Sequence, residues 1–441
     1  MPDSQHIVAA LLLACGLGPA LAPPAHAQAA DPYASQALGS LGGLRPWLAT
    51  LGASLSVNET ADLLGNPSGG FRQAVDFQGL AVATLTLDTG KFLGWPGGLF
   101  NVSAEQIHGR NLDSDALGDL HSNTSTLSVR GTRLWELWYQ QSLGPDFNVR
   151  AGLQSIDQEY MISPTSASFV NANFGWPLLP SQDLPNGGPI YPLSALGLRL
   201  EATPRPWLKL LAGVYNGSPV AAGCNQAPPL CDPSGTQFPL NGGQLAITEL
   251  QLAPPGWNLP GHFKLGGWYD SERFSVNAFA APPAAISPAP TYPGDWSVYA
   301  VADQMVWKGK AGRNLILFSR AFMAPSDRNP IALELAGGAL LKAPLADRPN
   351  DSAGLAVDYG GIGDAVRRID LEAEQAGLGH FARTEETVVE ASYQAAITRW
   401  LQLQPDIQYI WNPGGGVANP LMPTRRLANE TVLILRASVG F

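Results

Sequence analysis

Charge is what this 441-residue chain has least of. Asp, Glu, Lys and Arg make up 14% of it, against roughly 25% in ordinary soluble domains. Its 36 acidic and 26 basic side chains leave a formal net charge of −10. No cluster of Lys and Arg occurs, which argues against nucleic acid as a partner. Long apolar runs are missing too. The hydrophobic fraction is an ordinary 45%, yet beyond the amino-terminal region no stretch approaches the ~18 residues that a transmembrane helix needs. Low charge, no spanning helix and a mean hydropathy of +0.00 are what strands with one lipid-facing and one lumen-facing side average to. A soluble all-β protein with an uncharged polar surface gives similar numbers, so composition alone leaves both open.

Cysteine is nearly absent, with three in all. Cys15 falls in a leader-like region, which leaves Cys224 and Cys231 around a Pro-rich segment. In an exported chain they read as a local disulfide pinning a loop. A metal site is the alternative reading, with two thiols and no His nearby. The six histidines, His6, His26, His108, His121, His262 and His380, show no ligand spacing. No G-x-S-x-G elbow occurs, and Gly361-Ile362-Gly363 has Val366 where a dinucleotide loop needs its third glycine. His108 and His121, expected near the outer rim, are what remains for an enzyme embedded in a barrel. No cofactor, no metal and no enzymatic activity are expected.

Residues 1–27 hold no Lys or Arg, but an apolar run from Ile7 to Leu13 leads to Ala25-His26-Ala27. This fits a secretory signal cut before Gln28. Leu12-Leu13-Ala14-Cys15 offers a lipoprotein cleavage site as the competing reading, with a poorly fitting second Leu and a very short apolar run. The expected organisation is a signal at 1–27, a short periplasmic segment at 28–45 and a barrel at 46–441.

What the chain does have is alternation. From Glu430 to Phe441, Leu433, Leu435, Ala437, Val439 and Phe441 alternate with Ile434, Arg436, Ser438 and Gly440, the period of an amphipathic strand. A last strand that pairs with the first is what closes a barrel. Its terminal Phe441 also resembles the signal read by the barrel-insertion machinery of bacteria. Similar segments fall near 46–58, 72–88, 98–110, 132–143, 147–162, 194–203, 207–217 and 242–254. They continue at 261–274, 296–308, 313–325, 332–344, 351–363, 385–398, 400–412 and 430–441. Most exceed the 9–11 residues that cross a bilayer at a tilt of about 45°. Between them very short or modest links (144–146, 204–206, around Arg399, 89–97, 255–260, 309–312, 345–350) alternate with long ones. The long links are 111–131, 163–193, 218–241, 275–295, 364–384 and 413–429, with 59–71 and 326–331 shorter on that side. The pattern predicts an all-β fold, a closed antiparallel transmembrane β-barrel of about 16 strands in a bacterial outer membrane. Its periplasmic turns are short and its extracellular loops long.

Aromatic positions agree. Trp47, Phe100, Phe147, Trp207, Phe263, Trp307, Trp400 and Phe441 fall at strand ends on the short-turn side, as in a membrane-interface girdle. Tyr160, Tyr215, Tyr269 and Trp411 fall near the opposite ends. The competing reading, the core aromatics of a soluble β-protein, would put them mid-strand. In 401–411 Gln402, Gln404, Asp406 and Gln408 share one face, and a wet lumen would suit them. Pro405, lacking an N–H, predicts a local bulge.

Taking the apolar set as outward, the alternation turns Glu105, Glu136, Arg150, Arg199, Glu201, Lys264, Asp270, Asp303, Arg320, Glu334, Asp358, Glu390, Asp406 and Arg436 into the lumen, with Trp268 placed to stack on a sugar. For any one of them a plain wall charge competes with a specific contact. The link 163–193 is the candidate constriction, since selectivity follows what lines a neck. Its Phe174, Trp176 and Asp183 combine aromatic faces with an acceptor, and a solvent-exposed surface loop is the competing reading.

Three stretches resemble OprB-type carbohydrate-selective porins. One is Gly42-Gly43-Leu44-Arg45 with Leu63-Leu64-Gly65-Asn66-Pro67-Ser68-Gly69-Gly70. The second is Phe169 to Gly175 with Ile190-Tyr191-Pro192, Arg199 and Val214-Tyr215-Asn216-Gly217. The third runs from Glu390 to Tyr393, with Leu403-Gln404-Pro405-Asp406-Ile407-Gln408-Tyr409 and Asn412-Pro413-Gly414-Gly415. Leu41 departs from the Trp expected there. The resemblance implies a sixteen-stranded outer-membrane barrel that passes glucose and related neutral sugars by diffusion. Its other partners are outer-membrane lipid and the insertion machinery, and a homo-oligomer stays open. A general or anion-preferring porin is the alternative within transport, and a barrel serving adhesion through its loops the alternative outside it.

Overall fold

The computed structural model describes residues 32–275, 290–377 and 381–441. The expected signal at 1–27, His380 and most of the 275–295 link lie outside them. Strands run in chain order as β1 (Ala53–Gly70), β2 (Val75–Asp88), β3 (Gly98–Gly109), β4 (Gly131–Ser142), β5 (Phe147–Gln154) and β6 (Ala195–Arg205). Then come β7 (Leu208–Asn216), β8 (Gln244–Leu252), β9 (Gly261–Ser275), β10 (Thr291–Lys308), β11 (Asn314–Met323) and β12 (Ile331–Lys342). The last are β13 (Ser352–Ile362), β14 (Glu385–Ala396), β15 (Leu401–Trp411), β16 (Ala418–Asn419), β17 (Met422–Arg426) and β18 (Ala428–Gly440). β1 to β14 each pair antiparallel with the next, and β18 pairs with both β15 and β1. Sixteen strands thus form a closed barrel without an edge. β16 and β17 make a separate hairpin within the last long link.

The first strand differs from expectation. Residues 44–50 form a helix, β1 begins at Ala53, and it continues through the expected 59–71 link to Gly70. Gly69 and Gly70, at φ +80° and +70°, then turn the chain, a conformation that favours glycine. The 59–71 window reads as a loop because Asn66-Pro67-Ser68-Gly69-Gly70 is turn-like in composition. Register shifts against β18 at Gly65/Ser68 and Ser68/Gly70 let those residues stay in the sheet. The bulge expected at Pro405 is absent: Pro405 pairs with Leu435 in unbroken register. On the β14 side the ladder resumes at the same register beyond it, so one missing N–H is absorbed without an inserted residue.

Outward positions such as Leu198, Leu265, Leu355 and Leu433 are exposed, as a lipid-facing wall requires. Phe147, Trp207 and Trp307 are exposed at the short-turn rim, and Tyr269 and Trp411 near the other. Three expected girdle positions change. Trp47 is exposed but stands on the 44–50 helix before the barrel. Tyr160 and Tyr215 are buried inside, packed edge to face with centroids 6.4 Å apart.

Sixteen strands enclose more space than their own side chains fill. Two long-rim links fold back into it, 110–130 and 155–194. Leu112, Ala116 and Leu117 of the first and Phe169, Val170 and Phe174 of the second join inward residues of the wall in one apolar cluster. Ile156, Tyr160, Met161, Trp176, Leu178 and Leu179 build another against β7 to β12. A loop carrying so much apolar surface is stable only where that surface leaves water.

Candidate functional site

The inner loops carry many backbone N–H groups into a low-dielectric interior, where each needs an acceptor. Inward carboxylates of the wall supply them. Glu136 accepts from Ser155 N at 3.1 Å and Glu249 from Met161 N at 2.6 Å. Asp303 takes Ser163 Oγ at 2.7 Å and Thr165 N at 3.2 Å. Glu390 takes Val170 N at 2.6 Å and Asn171 N at 2.9 Å, and Glu334 takes Leu179 N at 2.7 Å. Arg320 works in the opposite sense, donating to the carbonyls of Asn173 and Phe174 while Asp358 lies 3.6 Å away. Charge-assisted bonds of this kind are the stronger sort. They fix the 155–194 loop along its length.

The 110–130 loop is held by the same device. Glu386 accepts from Leu120 N, His121 N and His121 Nδ1, at 2.8, 2.7 and 2.7 Å, and from Gly414 N at 2.5 Å. Asp62 accepts from Thr124 Oγ1 and from Thr126 Oγ1. Burial opposes charge on the His121 imidazole, but Asp358 and Glu386 on either side outweigh it and hold its pKa up at about 10. His121 is therefore fully buried inside the barrel, not at the outer rim as the sequence suggested.

Against this scaffold one band stays polar, with Arg150, Glu159, Glu201, Lys209 and Lys264 partly exposed around a buried Arg199 and Glu249. Arg150 and Arg199 face each other as register partners on β5 and β6. Arg199 makes a bidentate pair with Glu159 of the inner loop, 2.8 Å in both arms, and donates to Gln140 and Asn148. Arg150 Nη2 lies 3.2 Å from the same Glu159 and sits over the Trp138 ring at 4.1 Å. Glu201 lies 3.7 Å from Arg199 and 3.3 Å from Lys209. Lys264 reaches Glu249 at 3.4 Å. Four cations and three carboxylates thus share one side of the lumen, nearly balanced in sign.

Toward the long-loop side the two inner loops enclose a cavity of ≈490 Å³, whose lining includes Thr124, Trp135, Asp157, Asn173, Trp176 and Tyr191. Trp176 Nε1 has no hydrogen-bond partner. Asp157 accepts from Ser155, Gln158 and Tyr191, and burial nevertheless raises its carboxyl above the usual range.

The residues singled out from sequence therefore separate. Arg150, Arg199 and Glu201 come together in the polar band, and Trp176 lines the cavity. Phe174 is fully buried in an apolar cluster beside Phe169 and Phe318, closed to a sugar ring. Asp183 is buried and accepts from Ile331 N at 3.1 Å. Trp268 points inward but is covered by the cluster around Tyr160. Glu105 is buried against Arg133 at 3.4 Å. Asp406 accepts from Gln408 and, like Arg320 and Glu390, is buried. Cys224 and Cys231 are joined by a disulfide. Sequence reasoning missed Glu159, Gln140, Asn148 and Lys209 in the band, and Asp62 and Glu386 under the first inner loop, and it placed His121 of that loop at the outer rim. The signal for that loop was available: Leu112, Leu117 and Leu120 are more apolar surface than an exposed loop carries.

Comparison with known proteins agrees with the fold. The model of the carbohydrate-selective porin, OprB family, matches residues 76–441. The chain belongs to the OprB family. Porin B of Pseudomonas aeruginosa is 25% identical over 435 residues, with 91% of each chain covered. A high-pH structure of Pseudomonas putida OprB has the same fold, with a TM-score of 0.79 at 22% identity over 94% of this chain and 100% of that one. A low-pH structure of the same protein gives 0.56 at 17% identity, over 92% and 98%. As an OprB-family member the chain is a carbohydrate-selective porin of the bacterial outer membrane. Family and fold are those of channels rather than enzymes.

Proposed function

We propose that the band of Arg150, Arg199 and Glu201, with Glu159 from the inner loop, is the selectivity filter for neutral monosaccharides such as glucose. The balanced charge of that band carries this reading. A net cationic neck would favour anions, whereas paired guanidinium and carboxylate groups offer donors and acceptors to hydroxyls without drawing in either ion. Each hydroxyl exchanges a water hydrogen bond for a side-chain one, for a net gain of only about 0.5–1.5 kcal/mol. Affinity is therefore millimolar, and a tighter site would slow conduction. Trp176 and the ≈490 Å³ cavity form the outer approach to the band. Glu105, Arg320, Glu390, Asp406, Asp183, Phe174 and Trp268 serve as scaffold, holding the loops that shape the path.

Liposome swelling tests the reading. Proteoliposomes should swell faster in glucose than in amino acids or simple anions of similar size. In planar bilayers Arg199→Ala should raise ion conductance and weaken the block by glucose. Equal swelling in all solutes points to a general diffusion pore, and no swelling to a barrel that works through its loops.

A further inference from the structure

The 110–130 loop encloses a second space, apart from the cavity already described. Asp62, Gln78 and Gly109 are register partners across β1, β2 and β3. All three positions face inward, as Asp62 pairs with Arg436 and Ile107, two residues before Gly109, is buried. Gly109 brings no side chain to the row: its φ is +93° and a Cβ there would collide with the Phe77 carbonyl. Gln78 is left beside this gap. It is 3% exposed, and neither its Oε1 nor its Nε2 has a hydrogen-bond partner among the described residues. A buried amide unpaired at both atoms costs free energy until something answers it.

The two arms of the loop close a pocket of ≈520 Å³ around that amide. The outgoing arm carries Arg110 and Asp115, and the returning arm Thr126, Ser128 and Arg130. Arg110 donates to Asp115 at 2.9 Å and lies 3.3 Å from Asp76. Arg130 is exposed, and among the described residues neither its guanidinium nor the Ser128 hydroxyl has a partner. Two guanidinium groups and two carboxylates thus stand around the pocket, balanced in sign. Residues 124–128 are its partition from the pore. Thr126 and Ser128 line this pocket, whereas Thr124, Ser125 and Leu127 line the ≈490 Å³ cavity of the outer approach.

We propose that this pocket is a receiving subsite at the outer mouth, which binds neutral hexoses before they reach the filter. The sugar class rests on the reading of the Arg150–Arg199 band given above. A hydroxyl both donates and accepts, and so does a primary amide, so Gln78 answers one hydroxyl with Oε1 and its neighbour with Nε2. Arg130 and Ser128 meet the same ring from the open side. An ion of either sign gains little where the surrounding charges cancel. Sugar held here is one segment away from the cavity, so capture raises its concentration where the path begins.

Saturation-transfer NMR with glucose on the folded barrel in nanodiscs tests the subsite separately from the filter. Arg199→Ala should retain saturable glucose binding, and adding Gln78→Leu should weaken that binding about tenfold. Leucine fills similar space and leaves no amide unpaired, so the barrel should fold, read by heat-modifiable gel migration. Arg130→Ala, at the exposed rim, should weaken the same binding severalfold. In vesicles, Gln78→Leu alone should raise the glucose concentration that half-saturates uptake of labelled sugar. If Arg199→Ala changes neither binding nor uptake while Gln78→Leu weakens both, the filter reading fails and the subsite stands. Binding in Arg199→Ala that is absent, or indifferent to both Gln78→Leu and Arg130→Ala, would overturn the subsite and leave the filter. Glucose 6-phosphate binding there more tightly than glucose would make it an anion site and overturn it as well.

Discussion

Arg320 shows how a side chain that reads as a pore charge becomes part of a scaffold. It points into the lumen as the alternation on β11 requires, but the inner loop reaches it first and covers it. Removing it takes one donor from each of the Asn173 and Phe174 carbonyls, leaving Phe174 O to Ser166 Oγ. It also takes the guanidinium from Glu334 and Asp358, leaving only His121 beside Asp358. Breaking a buried pair in this way costs roughly 3–5 kcal/mol. Arg320→Ala should lower the urea midpoint of the folded gel species and raise conductance by freeing the 172–179 segment. A lower midpoint with unchanged conductance would mean that the segment does not shape the path. His121 gives a prediction in pH. Its folded pKa of about 10 lies above the ordinary 6.5. The stability tied to its charge is therefore fully present below pH 6.5 and is lost as pH rises toward 10. The urea midpoint should fall between pH 7 and 10, and fall less in His121→Gln; equal slopes would remove His121 as the cause. Direction was legible in the sequence, since alternation alone turns Glu105, Arg150, Arg199, Arg320 and Glu390 inward. Accessibility was not, because it depends on which backbone N–H groups a loop far away in the chain delivers to each carboxylate. Val170 and Glu390 are 220 residues apart.

At the scale of elements, the strands were legible because each carries its own period of two, and the parity of link lengths fixed the two rims. The first strand was not. The helix at 44–50 and the Gly-rich end of β1 each contradict a local rule, and the closing register with β18 overrides both. The inner fold of 155–194 was legible from its length and aromatics, while that of 110–130 was signalled only by Leu112, Leu117 and Leu120 amid largely polar neighbours. Length also decides what the second inner loop can do. Residues 176–188 carry Trp176, Leu178, Leu179 and Asp183, which Glu334 and Ile331 of β12 hold in place. Deleting 176–188 removes one wall of the ≈490 Å³ cavity. The deletion should increase single-channel conductance and abolish discrimination between glucose and larger sugars, with the barrel still heat-modifiable. Unchanged conductance and unchanged sugar block would place the filter outside this loop.

At the scale of the molecule, closure depends on one seam. β1 meets β18 with Asn58 opposite Gly440 and Asp62 opposite Arg436. Phe441 N donates to Val57 O at 2.8 Å, while Arg45 from the 44–50 helix donates to the Phe441 carbonyl. The amino-terminal segment therefore clasps Phe441, the residue that follows β18. Inside, Arg436 pairs in both arms with Asp62, at 2.9 and 3.0 Å, and donates to Thr124 Oγ1 at 2.7 Å. Asp62 in turn holds Thr124 and Thr126, so one ion pair joins the first strand, the last strand and the first inner loop. Either half alone is a buried charge. Asp62→Ala or Arg436→Ala should each destabilise the barrel by roughly 3–5 kcal/mol, and an apolar pair of similar volume should cost much less. If the ion pair serves the seam, Asp62→Leu with Arg436→Met recovers most of the urea midpoint that either single alanine loses. If it serves chiefly to place Thr124 and Thr126, the double variant recovers the midpoint yet gains conductance, because the 110–130 loop has lost its acceptor. Urea titration and single-channel recording on the three variants separate these outcomes. A double variant no more stable than the singles would show that the seam needs the charges themselves.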